Sequence, residues 1–298
     1  TLNELAAALG DDANFSTTVT NSIATKAPIA SPTFTGNVGI GATPESWDSQ
    51  FKVLNLGIGG VFAASNADAD YTAHGANWYQ AGGVDKYVES GKLATNISQN
   101  NGNMYFATAP SGTADAAITW TTGMAIDTSG DVGIGNTAPE ADLHIGAWQS
   151  GSGQTATIRL SEGNGSGAST GFDIKYVGNG DNLIFTSKDG SGTFVDRMII
   201  NRDTGNVGIG VTPKTTWRTN NTALQFGTQS ALWESYDVTT VLAQNVYEHT
   251  DTNRKFLNTG EASTYIQSNG AHYWETYASG TGDATLSAVS GSMTMLNN

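Results

Sequence analysis

The sequence has no cysteine, which excludes disulfides, thiolate catalysis and cysteine-bound metal, and leaves redox chemistry silent about its compartment. Charge is sparse: 13% of the 298 residues are Asp, Glu, Lys or Arg, about half the usual ~25%. Basic residues are the scarcest, 13 against 27 acidic ones, for a net charge of −14. That balance argues against nucleic-acid binding and against adhesion to anionic membranes, both of which need a basic face. No stretch reaches the roughly 18 consecutive apolar residues of a membrane-spanning helix. The chain opens at Thr1 with no visible signal peptide and reads as a fragment or a trimmed end.

Glycine is abundant, at 37 residues, among many Thr, Ser and Asn. This composition suits strands and turns better than helices. Seven Trp, ten Tyr and ten Phe argue against disorder. Residues 1–27 are the exception to the β pattern. Leu2, Leu5 and Leu9 form one helical stripe, Gly10 with Asp11 and Asp12 interrupts it, and Phe15, Val19 and Ile23 form a second. Helices this short are marginal alone, so the stripes predict a short helical bundle between chains. Pro28 and Pro32 end that section.

From there the period is two. The nonamer "GNVGIGATP" at 36–44 returns as "GDVGIGNTAP" at 130–139 and "GNVGIGVTP" at 205–213. Val38 and Ile40 point to one side of a strand, as do Val132 with Ile134 and Val207 with Ile209. Proline closes each copy, at Pro44, Pro139 and Pro213. A short strand ending in glycine follows each ("LNLG", "LHIG", "LQFG"), and Met-x-Ile precedes two of them, as Met124/Ile126 and Met198/Ile200. "NMYFATAPSGT" (103–113) matches "AHYWETYASGT" (271–281), and "DKYVESG" matches "RKFLNTG". These similarities predict an N-terminal helical trimerisation segment (1–27), a linker with a first β module (28–129), a short second module (130–204) and a third (205–298). Met293 and Met295 stand where the earlier modules have Met-x-Ile, so the third module reads as cut before a further repeat or a terminal module.

Glycine in a strand costs roughly 0.5–1 kcal/mol relative to alanine but permits close backbone approach. Identical nonamers meeting on a common axis would turn Val and Ile inward while bare glycines leave room for a neighbouring chain to cross. The expectation is a threefold junction with Val38, Ile40, Val132, Ile134, Val207 and Ile209 as its core, rather than a hairpin corner within one chain.

"KAPIASPTFTGNVGIG" (26–41), the leading "TLNELAAALGDD" and the "GNVGIG-x-TP" copies resemble tail-fibre proteins of tailed bacteriophages. The likeness is strongest at 1–44 and at the nonamers, and "ASPTFTG" is its most discriminating run; nonamers of this type also occur in large bacterial surface proteins. The resemblance implies an elongated, mostly β homotrimeric fibre in the virion. N-terminal parts would attach it to other tail proteins and distal parts would reach host surface glycan. Such fibres often carry a self-cleaving C-terminal chaperone, which has no counterpart in this sequence. The alternatives from other classes are a bacterial surface adhesin or filament stalk, and a glycan-degrading spike.

Nothing in the residues points to catalysis, a cofactor or a metal. "GIGNTA" (133–138) fits a dinucleotide loop only by repetition. His74, His144, His249 and His272 show no H-x-H or H-x-x-x-H spacing. Asn66, Asp68 and Asp70 have calcium-loop spacing, but Tyr71 and Asn77 occupy the positions needing Gly and Glu. "GNGDNLIF" resembles a calcium β-roll and occurs once. No acidic pair flanked by aromatics marks a glycosidase. The aromatics, with Tyr87, Tyr105, Tyr247 and Tyr273 among them, read first as module core. The functional alternative is a sugar-stacking platform using Trp78, Tyr79, Trp233 and Trp274.

Overall fold

A computed structural model describes residues 3–4, 10, 14–24, 33–146, 155–163, 169–178, 180–189, 191–235, 238–287 and 289–296. The protein is mostly β. The Leu2, Leu5 and Leu9 stripe lies outside the described residues. The second predicted helix forms as α1 (Phe15–Ala24), begun by a hydrogen bond from the Thr18 amide to the Asn14 carbonyl, 2.8 Å. Its stripe residues Phe15, Val19 and Ile23 are all exposed.

The chain divides into two compact units, 1–144 and 145–298. In the first, β1 (Val38–Ile40), β2 (Phe51–Leu56), β3 (Gly60–Ser65), β4 (Thr72–Ala76), β7 (Ala94–Asn100), β8 (Asn103–Ala109), β9 (Thr121–Ile126), β10 (Val132–Ile134) and β11 (Leu143–Ile145) form one sheet in that order. A separate hairpin, β5 (Trp78–Ala81) with β6 (Val84–Tyr87), supplies Trp78, Tyr79 and Tyr87 to the core beside it. In the second unit, β12 (Thr155–Gly163), β13 (Ser169–Val177), β14 (Asn182–Lys188), β15 (Phe194–Asn201), β16 (Val207–Ile209), β17 (Ala223–Phe226), β18 (Ser230–Ser235), β19 (Thr239–Gln244), β22 (Gly260–Ser268), β23 (Ala271–Gly280) and β24 (Gly291–Met295) form the larger sheet. Its covering hairpin is β20 (Val246–Glu248) with β21 (Arg254–Phe256).

The expected module limits at 129/130 and 204/205 do not coincide with the single division at 144/145. The reason lies in the hydrogen bonding: β10 pairs antiparallel with β9, and β16 with β15, so the second and third nonamers extend the sheet that precedes them. The likeness of the first and third modules nevertheless extends to single hydrogen bonds. Asn77 and Asn245 both adopt positive φ (58° and 61°), and their side-chain oxygens accept the amides of Glu89 and Asn258, 2.7 Å each. Asn is among the few residues that enter the left-handed region readily, so this one residue type turns the chain into the hairpin and ties down its far end.

Alternation puts one face of each sheet under its hairpin. In the first unit the covered face carries Phe51, Val53, Val61, Ala63 and Ala73, packed with Trp47 and Trp78. In the second it carries Ala223, Ala231, Trp233, Val241 and Ala243, packed with Trp217, Tyr247 and Phe256.

Candidate functional site

The nonamer is a corner, and its glycines have two separate jobs. A β-carbon added at Gly39 would lie 2.0 Å from the chain's own Ala42 carbonyl oxygen; at Gly133 it would lie 2.1 Å from that of Asn136, and at Gly208 2.0 Å from that of Val211. Gly41, Gly135 and Gly210 instead take positive φ of 77°, 69° and 68°, a conformation glycine adopts without steric cost. The room at Gly39, Gly133 and Gly208 is therefore filled by the same chain folding back, not kept for a neighbour to cross. This corrects the reason given above for those glycines.

After the corner the chain returns and the next strand runs parallel to the nonamer strand, β2 beside β1 and β17 beside β16. The Asn37 side-chain oxygen accepts the amide of Val53 (3.1 Å), and that of Asn206 accepts the amide of Ala223 (2.9 Å). The sequence signal was the Asn before Val-Gly-Ile in the first and third copies; the second carries Asp131 there. The returning segment also places Trp47 and Trp217 under the sheet, both buried.

The six predicted core residues fall into two kinds. Val38, Val132 and Val207 are half-buried; Ile40 is 59% exposed, and Ile134 and Ile209 are exposed as well. They belong to larger surfaces. Across the first sheet one residue from each of eight strands lines up on the uncovered face: Val38, Leu54, Phe62, His74, Ile97, Phe106, Met124 and Ile134. None is fully buried. The second sheet repeats the row across all eleven strands, from Ala156 and Tyr176 through Val207, Leu224 and Leu232 to Trp274 and Met293. Neither row contains a carboxylate.

No protein-family model matches the chain, and neither does any curated protein.

Three of the four proposed glycan contacts are covered. Trp78, Tyr79 and Trp233 are buried in the cores, so their ring faces are not available for stacking, and the core reading is the one the structure bears out for these three. Trp274 lies on the opposite face of the second sheet, half-buried, with its ring 5.1 Å from Tyr265. Tyr79 and Tyr247 each donate a hydrogen bond to an aspartate held at positive φ: Asp115 (2.5 Å) and Asp283 (2.8 Å). The bond to Asp115, then burial, pushes Tyr79 up to about 12; burial, then the bond to Asp283, does the same to Tyr247. The signal for both was the shared "SGTxDA" (111–116 and 279–284).

In β12–β15 of the second module the face opposite the apolar row carries a charged cluster beside Phe194, Ile184 and Ile199. Arg159 grips Asp173 with two bonds of 2.7 Å, and Lys175 stands 3.6 Å from the same carboxylate. The Arg159 bonds hold the Asp173 carboxyl below the usual carboxylate range, against the opposing effect of burial. Arg159, Lys175 and Lys188 all approach the Phe194 ring, at 5.4, 4.7 and 5.4 Å from its centroid.

Asn66, Asp68 and Asp70 form a surface turn in which the Asp68 carboxylate accepts the Asp70 amide, 3.0 Å. Among the described residues no three His, Asp or Glu side chains converge as metal ligands. His74 and His272 lie on the uncovered faces, beside Phe62 and Tyr265 respectively. Among the described residues no helix is long and apolar enough to cross a membrane.

Proposed function

We propose that this chain is a mid-section of a bacteriophage tail fibre: a homotrimeric shaft that spaces the distal parts from the virion and acts by binding, not turnover. The observation that carries the reading is the pair of uncovered apolar rows, eight and eleven strands wide. Large uncovered apolar faces on soluble proteins mark interaction surfaces, and full burial of one Leu, Ile or Phe contributes about 1.5–3 kcal/mol. Two further copies of the chain supply faces of the same composition, and a corner repeated three times sets Val and Ile on them. The exposed stripe of α1 fits the same logic, since a helix of ten residues is marginal until it packs.

Such a shaft would join other virion tail proteins through N-terminal parts, and its hold on host glycan would come from avidity among several fibres. With Trp78, Tyr79 and Trp233 buried, spacing outweighs adhesion in this segment. Analytical ultracentrifugation tests the reading. Three chains per particle, dissociating only as β structure is lost, is the expected result. A folded monomer at low concentration would overturn it.

A further inference from the structure

Two of the nonamer strands dock antiparallel on a strand of Met-x-Ile. Ile134 lies opposite Met124 and Val132 opposite Ile126; Ile209 lies opposite Met198 and Val207 opposite Ile200. The same backbone bonds close both joints. The Gly135 amide donates to the Gly123 carbonyl and Gly210 to Arg197, 2.9 Å each; at the other end Asp127 donates to Asp131 (3.0 Å) and Asn201 to Asn206 (2.9 Å).

β24 repeats the receiving strand. Met293 lies opposite Trp274 as Met124 lies opposite Phe106, and Met295 lies opposite His272 as Ile126 lies opposite Met104. Among the described residues no strand pairs with its other side, where β24 ends the sheet. The consequence is measurable. Met124, Ile126, Met198 and Ile200 are half-buried, whereas Met293 and Met295 are 55% and 57% exposed and Leu296 72%.

We propose that the free edge of β24 is a receptor for a strand of the type Gly-x-Val-Gly-Ile-Gly. It would bind antiparallel, with its Ile opposite Met293 and its Val opposite Met295. Backbone pairing supplies the attraction common to strand addition at sheet edges. Specificity comes from the face: Val and Ile extend the apolar row by one strand, and the glycine between them points to the side where each existing corner folds back on itself. By the pattern at β9, the amides of Thr294 and Leu296 and the carbonyls of Ser292 and Thr294 are the groups that pair. The inference goes beyond the fibre reading, because it holds whatever the number of chains.

The test extends the chain after Asn298 by a copy of residues 130–139, "GDVGIGNTAP". Three residues would then separate Met295 from the new glycine, as Asp127, Thr128 and Ser129 separate Ile126 from Gly130. Amide hydrogen exchange is followed over 291–296. The expected result is exchange slowed at least about tenfold, with a second extension carrying Gly133→Pro in the copied segment giving no slowing, because it lacks the central amide. Unchanged exchange in the first extension, or equal slowing in both, overturns the proposal. Slow exchange in the unextended chain that becomes fast on dilution would support it as well, the occupant then being the "GNVGIG" strand of a second copy. Sedimentation of the same samples reads the trimer separately.

Discussion

In the first module the indole of Trp47 meets that of Trp78, from β5, at 5.1 Å; in the third, Trp217 meets Trp233, from β18, at 5.3 Å. The two modules are otherwise in register, so the partner ring has changed strands. Ala63 occupies on β3 the place that Trp233 has on β18, and Val246 occupies on β20 the place that Trp78 has on β5. A large and a small side chain have been exchanged across one core, and all four are buried. Cores tolerate such exchange when total volume is kept. The polar surroundings follow the ring. Among the described residues the Trp78 indole N–H has no partner, while that of Trp233 donates to Glu248 (3.3 Å), which also accepts Arg218 (2.7 Å) and Asn221 (3.2 Å). The first module has Gln80, Asp48 and Phe51 at those three places.

The largest effects test the exchange itself. Trp78→Val alone should cost roughly 3 kcal/mol from the cavity, and Ala63→Trp alone about 1–3 from overpacking. The double variant should recover at least half of the summed loss, read by chemical denaturation as a double-mutant cycle. Strict additivity would show that the two positions do not share one volume.

Next come the corners, which the modules have in common. Gly39→Ala and Gly208→Ala force a β-carbon against the chain's own carbonyl and should each cost more than about 1 kcal/mol. Gly36→Ala, with open space around it, should be nearly neutral. Equal costs at all three would show that the corner geometry is not what requires glycine.

The buried carboxylate sharpens the contrast by pH. Burial pushes the Glu248 carboxyl up, but bonds from Arg218, Ser235, Asn221 and Trp233 outweigh it and leave it below the usual range. Its stabilising contribution is therefore present above the unfolded value of about 4.3 and is lost as pH falls through the lower folded value. Hydrogen exchange at β18–β20 should accelerate over that acid range more than at β3–β5, where Gln80 does not titrate. Glu248→Gln should remove the difference and cost about 1–3 kcal/mol at neutral pH.

The smallest effect belongs to the shared tyrosines. Tyr79 and Tyr247, both pushed up to about 12, keep their protons in the folded state when unfolded tyrosine, near 10, has lost its own. Their contribution is full below about pH 10 and is lost as pH rises towards about 12. Tyr79→Phe with Tyr247→Phe should cost about 1 kcal/mol each and flatten the alkaline limb of a stability profile.

Much of this was readable along the chain, and the failures were of one kind. Period-two alternation located the strands around each nonamer, and Met-x-Ile marked the strands that receive β10 and β16, because both are local patterns of one residue type every second position. Trp233 and Trp274 could not be told apart in this way. Each sits in an alternating strand, and which parity faces the hairpin is settled only when β20 and β21 fold over one side. Gly39 misled for a similar reason: a glycine kept bare for its own chain looks the same in sequence as one kept bare for another.

The sequence by itself determined the β character and the threefold repetition of the nonamer, since both follow from side-chain alternation and residue order local to a few positions. Only the tertiary structure decided which aromatic rings are buried and which apolar row is left open. Those outcomes depend on volume and coverage shared between strands tens of residues apart, and no neighbouring pair of residues encodes them.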